Sequence, residues 1–166
     1  LGDLADEVTG VLNAAGFTVR GVRRSPAFAR PRVESAECGV EIGLVADLVP
    51  RIDAPERAHA SGLVIEIYSK QEIFAHKLNA LLSQSEFRDL VDVEALMSTG
   101  LDLRSGLEAA ARKDGAMSAA TLAWVLSFLP VAALAQPEGW SAPETLRLAR
   151  FHVSLCTELT RLSAPG

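Results

Sequence analysis

The apolar pattern changes period at Ser69, and that change restricts the fold more than any other feature of the chain. Before it, β-branched residues alternate with polar ones at the two-residue period of strands. After it, apolar residues recur at the three- and four-residue spacing of helices. Ser69-Lys-Gln-Glu72 is a capping-box pattern, which places a helix start there. Ile73, Phe74, Lys77, Leu78 and Leu81 follow on one stripe. Ser85 is the expected cap of the next helix, with Phe87, Leu90, Val91, Val93 and Leu96 buried and Gly100 closing it. Asp102 caps a helix through Arg112, and Lys113-Asp114-Gly115 reads as a loop. Ser118 opens a helix rich in Ala that Pro130 ends near Leu129. Ser141-Ala-Pro-Glu144 is a second capping box, opening a last helix to about Leu162.

The upstream part reads differently. Asp3 is the expected cap of a helix from Leu4 to Ala15, with Leu4, Val8, Val11, Leu12 and Ala15 as its apolar stripe and Gly16 as its stop. Phe17 to Arg23 alternates as a strand, and Ser25-Pro26 turns the chain. Ala27 to Val33 reads as a second strand, assigned to a sheet edge because Pro31 cannot donate to a ladder. Glu34 to Gly39 is a turn. In Val40 to Val49 one face carries Val40, Ile42, Leu44, Ala46 and Leu48, and the other Glu41, Gly43, Val45, Asp47 and Val49. Pro50 to Ser61 reads as irregular, and Leu63 to Ile67 as a short strand. The expected class is α+β: a small mixed, mostly antiparallel sheet over residues 1–68, followed by a helical bundle over residues 69–166.

Composition narrows the function. At 166 residues the chain is long enough for a real core, and its 49% hydrophobic content argues against disorder. A net charge of -5 gives no bulk attraction to nucleic acid, so an RNA contact needs a local basic patch. Arg20, Arg23, Arg24, Arg30 and Arg32 are the one basic concentration, suited to an RNA acceptor, to a triphosphate, or simply to a solvated sheet face. Cys38 and Cys156 belong to no metal-ligand spacing and read as reduced, buried thiols of a cytoplasmic protein. Ala119 to Ala135 is too short, and too interrupted by Pro130, for a comfortable membrane span. His59, His76 and His152 share no ligand spacing, and Trp124 and Trp140 read as core anchors. The chain starts at Leu1 without methionine, which suggests a fragment or a trimmed chain.

The candidate site lies between Tyr68 and Gly100. Lys77 sits in an apolar helix, so its ammonium needs an anionic partner or ligand. Asp89 and Asp92 are three apart on the next helix and share a face. Two outcomes stay open from residue types alone. Lys77 or Arg88 pairs with Asp89 or Asp92 to lock the hairpin, or the group serves a phosphate. A regulatory helical domain is a third reading, and it places Lys77 and Asp89 far apart and exposed.

The wording of the stretch adds a further argument. KLNALL followed by RDLVDVEALMSTGLDL resembles the nucleotidyltransferase AbiEii/AbiGii toxin family, with VEIGLVADLVPRI similar to its core strand and RKDGAMSAATLAWVLSFLP to its downstream helices. The resemblance implies a sheet of the polymerase-β-like nucleotidyltransferase type and transfer of a nucleoside monophosphate from an NTP to an acceptor, with RNA as one candidate. It implies Lys77, Asp89 and Asp92 as catalytic residues, and Lys77 and Arg88 as substrate-binding ones. Mg²⁺ is the implied cofactor, and an antitoxin in a toxin–antitoxin or phage-defence setting the implied partner. The chain departs from the pattern in three places. The Gly-Gly/Ser turn and Asp-x-Asp pair that hold the metal have no counterpart, Asp3-Leu-Ala-Asp6 having the wrong spacing. Gly43 stands where relatives often carry a third Asp, and Gln84 where they are often basic. A catalytically degenerate relative or a helical protein-binding module is therefore the alternative.

Overall fold

The computed structural model describes residues 1–47 and 49–164, so the expected place of Leu48 on its strand lies outside the described residues. The protein is α+β, with antiparallel sheets and seven helices among the described residues. It divides into two compact units, Leu1–Pro50 and Arg51–Gly166.

The first unit is one helix on a small sheet. Helix α1 spans Gly2–Ala14, starting earlier than expected. Asp3 lies in its first turn and makes no side-chain cap. Its buried side is also rotated from the expected stripe. Ala5 is fully buried and Val8 and Leu12 half-buried, whereas Leu4 and Val11 are exposed. Two overlapping apolar rows share Val8 and Leu12, and the row containing the small Ala5 lets the helix approach most closely. Strands β1 (Thr18–Ser25), β2 (Phe28–Glu34), β3 (Gly39–Glu41) and β4 (Leu44–Val45) form an antiparallel sheet.

Pro31 sits on the central strand, not an edge, because β2 pairs with β1, β3 and β4. The sheet yields at that point on both sides. Ile42 donates to the Pro31 carbonyl at 3.0 Å, and the return bond is missing because proline has no N–H. β3 and β4 keep one common register on either side of that gap, as Arg32 lies opposite Glu41 and Ala29 opposite Leu44. On the β1 side a bulge lies between Arg20 and Arg23, where Gly21 adopts φ 58.

The second unit opens with a hairpin. Glu56–Ala60 is a strand, β5, where irregular chain was expected, and it pairs with β6 (Leu63–Ile67). Ser61 and Gly62 both take positive φ, at 51 and 81. A two-residue turn with that backbone matches the twist of the flanking strands.

Helices α2 (Lys70–Ser83), α3 (Phe87–Ser98), α4 (Leu103–Lys113), α5 (Ala119–Leu126), α6 (Val131–Ala135) and α7 (Ala142–Ser163) follow. Their shared core includes Phe74, Leu78, Leu81, Leu90, Leu122 and Leu155. Ser69 and Asp102 cap α2 and α4 through the amides of Glu72 and Ser105, and Ser118 and Ser141 open α5 and α7 with capping boxes. The cap of α3 is Glu86, not Ser85. Ser85 instead takes φ 53 and donates to the Leu81 carbonyl at 2.9 Å, closing α2. Trp124 is 66% exposed and is not a core anchor; Trp140 packs edge-on against Phe87, with ring centroids 5.0 Å apart. Cys38 is exposed rather than buried. No helix is long and apolar enough to cross a membrane among the described residues.

Candidate functional site

Helices α2 and α3 are joined by a short link, Gln84 to Glu86, and pack side by side. Both bury side chains in the shared helical core, Phe74, Leu78 and Leu81 from α2 and Leu90 and Val93 from α3. Lys77 is only partly buried, with 29% of its side chain exposed. Its Nζ donates to Asp89 Oδ1 at 2.9 Å and lies 2.6 Å from Asp92 Oδ2. Three of the expected site residues therefore converge, and the reading that kept Lys77 and Asp89 apart is overturned.

The three groups differ in setting. Asp89 is 6% exposed, in the first turn of α3, where the helix dipole favours its charge. The Asp92 side chain is 39% exposed. Burial alone would lower the pKa of Lys77, but its hydrogen bonds to Asp92 and Asp89 outweigh it and hold the ammonium above its ordinary value. The cluster sets one ammonium between two carboxylates, with one oxygen of each turned to Nζ.

Arg88 does not join this group. It is exposed, and lines a separate cleft of about 490 Å³ with Gln84, Glu86, Leu134, Pro137 and Glu138. Consecutive helical residues point about 100° apart, and Arg88 leaves α3 in a different direction from Asp89.

A second polar centre was missed. Glu72 is 1% exposed; its carboxylate accepts from the amides of Ile52 at 2.7 Å and Asp53 at 3.3 Å. Lys113 Nζ lies 2.5 Å from it, on a side chain that is 4% exposed, and His76 Nε2 lies 3.5 Å away. Burial would raise the pKa of Glu72, yet the hydrogen bonds from Lys113, Ile52 and Asp53 bring it below its ordinary value. Ser69 caps α2 as expected, but Glu72 turns from the capping box to this network. The signal for Lys113 was present: Leu103, Gly106 and Ala110 are buried on α4, and the next helical step on that stripe is residue 113.

The donor set was also measured against a metal ion. No three His, Cys, Asp or Glu side chains come together to hold one among the described residues. Asp89 and Asp92 already enclose an ammonium, and a divalent cation would occupy the same place. The pair, as arranged, does not fit Mg²⁺.

The fold and this cluster define an α+β protein with a lysine–dicarboxylate helical hairpin. A family model described as nucleotidyl transferase AbiEii toxin, type IV TA system, matches residues 7–154. The chain belongs to that family, and is a nucleotidyltransferase-like protein of the toxin type. No curated protein and no solved structure matches it.

Proposed function

We propose that the protein takes part in transferring a nucleoside monophosphate from an NTP to an acceptor hydroxyl, with RNA as the acceptor, in a cytoplasmic toxin–antitoxin setting that serves phage defence. The observation that carries this is the convergence of Lys77, Asp89 and Asp92 in a chain of the AbiEii family. The ammonium is the group for a triphosphate: a compact cation whose charge can be shared between the two aspartates and phosphate oxygens. Asp89, buried and paired, fixes the position of Nζ. Asp92, more exposed, is the partner that a phosphate displaces. Arg88 meets the substrate only from the neighbouring cleft. Mg²⁺ belongs to the proposed reaction through the family, with ligands other than the Asp89–Asp92 pair as it stands.

Incubating the full-length protein with each α-labelled NTP, Mg²⁺ or Mn²⁺ and total RNA tests the proposal. Covalent label on RNA, lost in Lys77→Ala, supports it. Absence of transfer to any acceptor rejects it. One observation favours a second reading. Lys77 is already satisfied by two carboxylates, which is what a hairpin lock in a catalytically degenerate relative or a protein-binding module requires. That reading expects Lys77→Ala to alter stability and leave NTP binding unchanged.

A further inference from the structure

The arginine cluster acquires a definite geometry in the sheet. Residues directly opposite in a ladder share a face, so the register assigns each side chain. Val19, Val33 and Val40 lie on one face with Ala29 and Leu44. Arg20 lies opposite Arg32, and Arg23 opposite Arg30, all on the other face. Arg24 is on the first face and is accounted for by Asp6 at 2.5 Å.

Two pairs of like charges directly opposite one another destabilise a sheet unless an anion lies between them. Glu34 supplies one for the first pair, 3.3 Å from Arg20 Nε and 3.1 Å from Arg32 Nε. No carboxylate is placed against Arg23 or Arg30 among the described residues. The surroundings of this second pair are specific. Phe28 is on the same face, and the Arg30 guanidinium carbon lies 5.1 Å from its ring centroid. Val45, opposite Phe28, is 66% exposed. Continuing the common register of β3 and β4 places Gly43 opposite Arg30, and a Cβ built there would meet nothing within 4 Å. The face is thus open at two unneutralised cations beside an aromatic ring.

We propose that the Arg23–Arg30 end of this sheet face docks a single strand of nucleic acid, with phosphates on the arginines and a base over Phe28 and the Arg30 guanidinium. Flat aromatic and guanidinium surfaces beside cations suit bases and phosphates alternately, whereas an acidic polypeptide would use the cations alone. Glu34 and Glu41 bound the site at its other end and keep the strand from Arg20 and Arg32. The proposal rests on the transfer reading only in taking the bound strand to be the acceptor.

Fluorescence anisotropy of the full chain with labelled 12-nucleotide RNA, and with DNA of the same sequence, tests it. Binding of either strand is expected to weaken with salt. The double variant Arg23→Gln/Arg30→Gln should shift the slope of log affinity against log salt by about 1.4, two phosphate contacts fewer on a single strand. Phe28→Ala should weaken binding about tenfold, Arg24→Gln should leave it unchanged, and Arg23→Lys/Arg30→Lys should retain most of it. Wild-type affinity and slope in the double glutamine variant overturn the proposal. So does competition by polyglutamate equal to that of unlabelled RNA of the same charge. NTP binding measured in parallel separates the two readings. Strand binding without NTP binding rejects transfer and leaves this surface standing; NTP binding with no strand binding rejects only this surface.

Discussion

Lys77 carries a structural load that can be measured apart from any activity. Replacing it with Ala leaves Asp89 buried beside no cation, and an unsatisfied buried polar group costs about 1–3 kcal/mol. Asp92→Asn should cost under about 1 kcal/mol, since that pair is more exposed. Urea unfolding midpoints check both. The pH dependence has opposite signs at the two polar centres. The pKa of Lys77 is raised, so its contribution is complete below the ordinary 10.5 and is lost only as pH rises through the higher folded value. The pKa of Glu72 is lowered, so its contribution is present above the ordinary 4.5 and is lost as pH falls through the lower folded value. Glu72→Gln should therefore cost stability at neutral pH, and the gap to wild type in thermal midpoint should narrow below about pH 4. The Lys77–Asp89–Asp92 group was legible because a lone lysine in an apolar stripe demands a partner. The Glu72 network was not, because Glu72 fitted a capping box and Lys113 fitted a loop equally well.

At the scale of elements, α4 packs tightly on α2 at Gly106. A Cβ on Gly106 would clash with Phe74 Cε1 and lie 3.1 Å from Leu78 Cδ1. Both side chains are fully buried and have nowhere to move. Gly106→Ala should cost about 1–3 kcal/mol by overpacking, and Phe74→Leu in the same chain should recover part of that. A double-mutant cycle by chemical denaturation measures the coupling. Helix starts were legible where a side chain caps them, as at Ser69, Asp102, Ser118 and Ser141. Ser85 misled because a positive-φ serine and a capping serine look alike in sequence. β5 was missed because Glu56-Arg-Ala-His-Ala carries little β-branched signal; its pairing comes from the Ser61-Gly62 turn. Pro31 was assigned to an edge by a rule that central strands usually obey, and here a bulge and a gap in the ladder accommodate it.

For the whole molecule, the two compact units part between Pro50 and Arg51, and the β5–β6 hairpin lies in the same unit as helices α2 to α7. Every member of the large buried cluster lies between Phe74 and Leu159, and the hydrophobics packed against it begin at Ile52. A fragment of residues 51–166 should therefore fold alone, with helical circular dichroism and a single cooperative melt; a broad, non-cooperative melt would contradict this. The family was readable from short motifs whose order mattered more than any one of them. The pairing of the arginines was not, because which of them face one another is fixed only by strand register. The central claim is that Lys77 binds the triphosphate rather than merely locking the hairpin. Calorimetric titration of NTP into full-length wild type and Lys77→Ala, at a temperature where circular dichroism shows both folded, tests it most directly. Binding to wild type and none to the variant is the expected result. Equal binding to both, with only the variant's stability reduced, would contradict it.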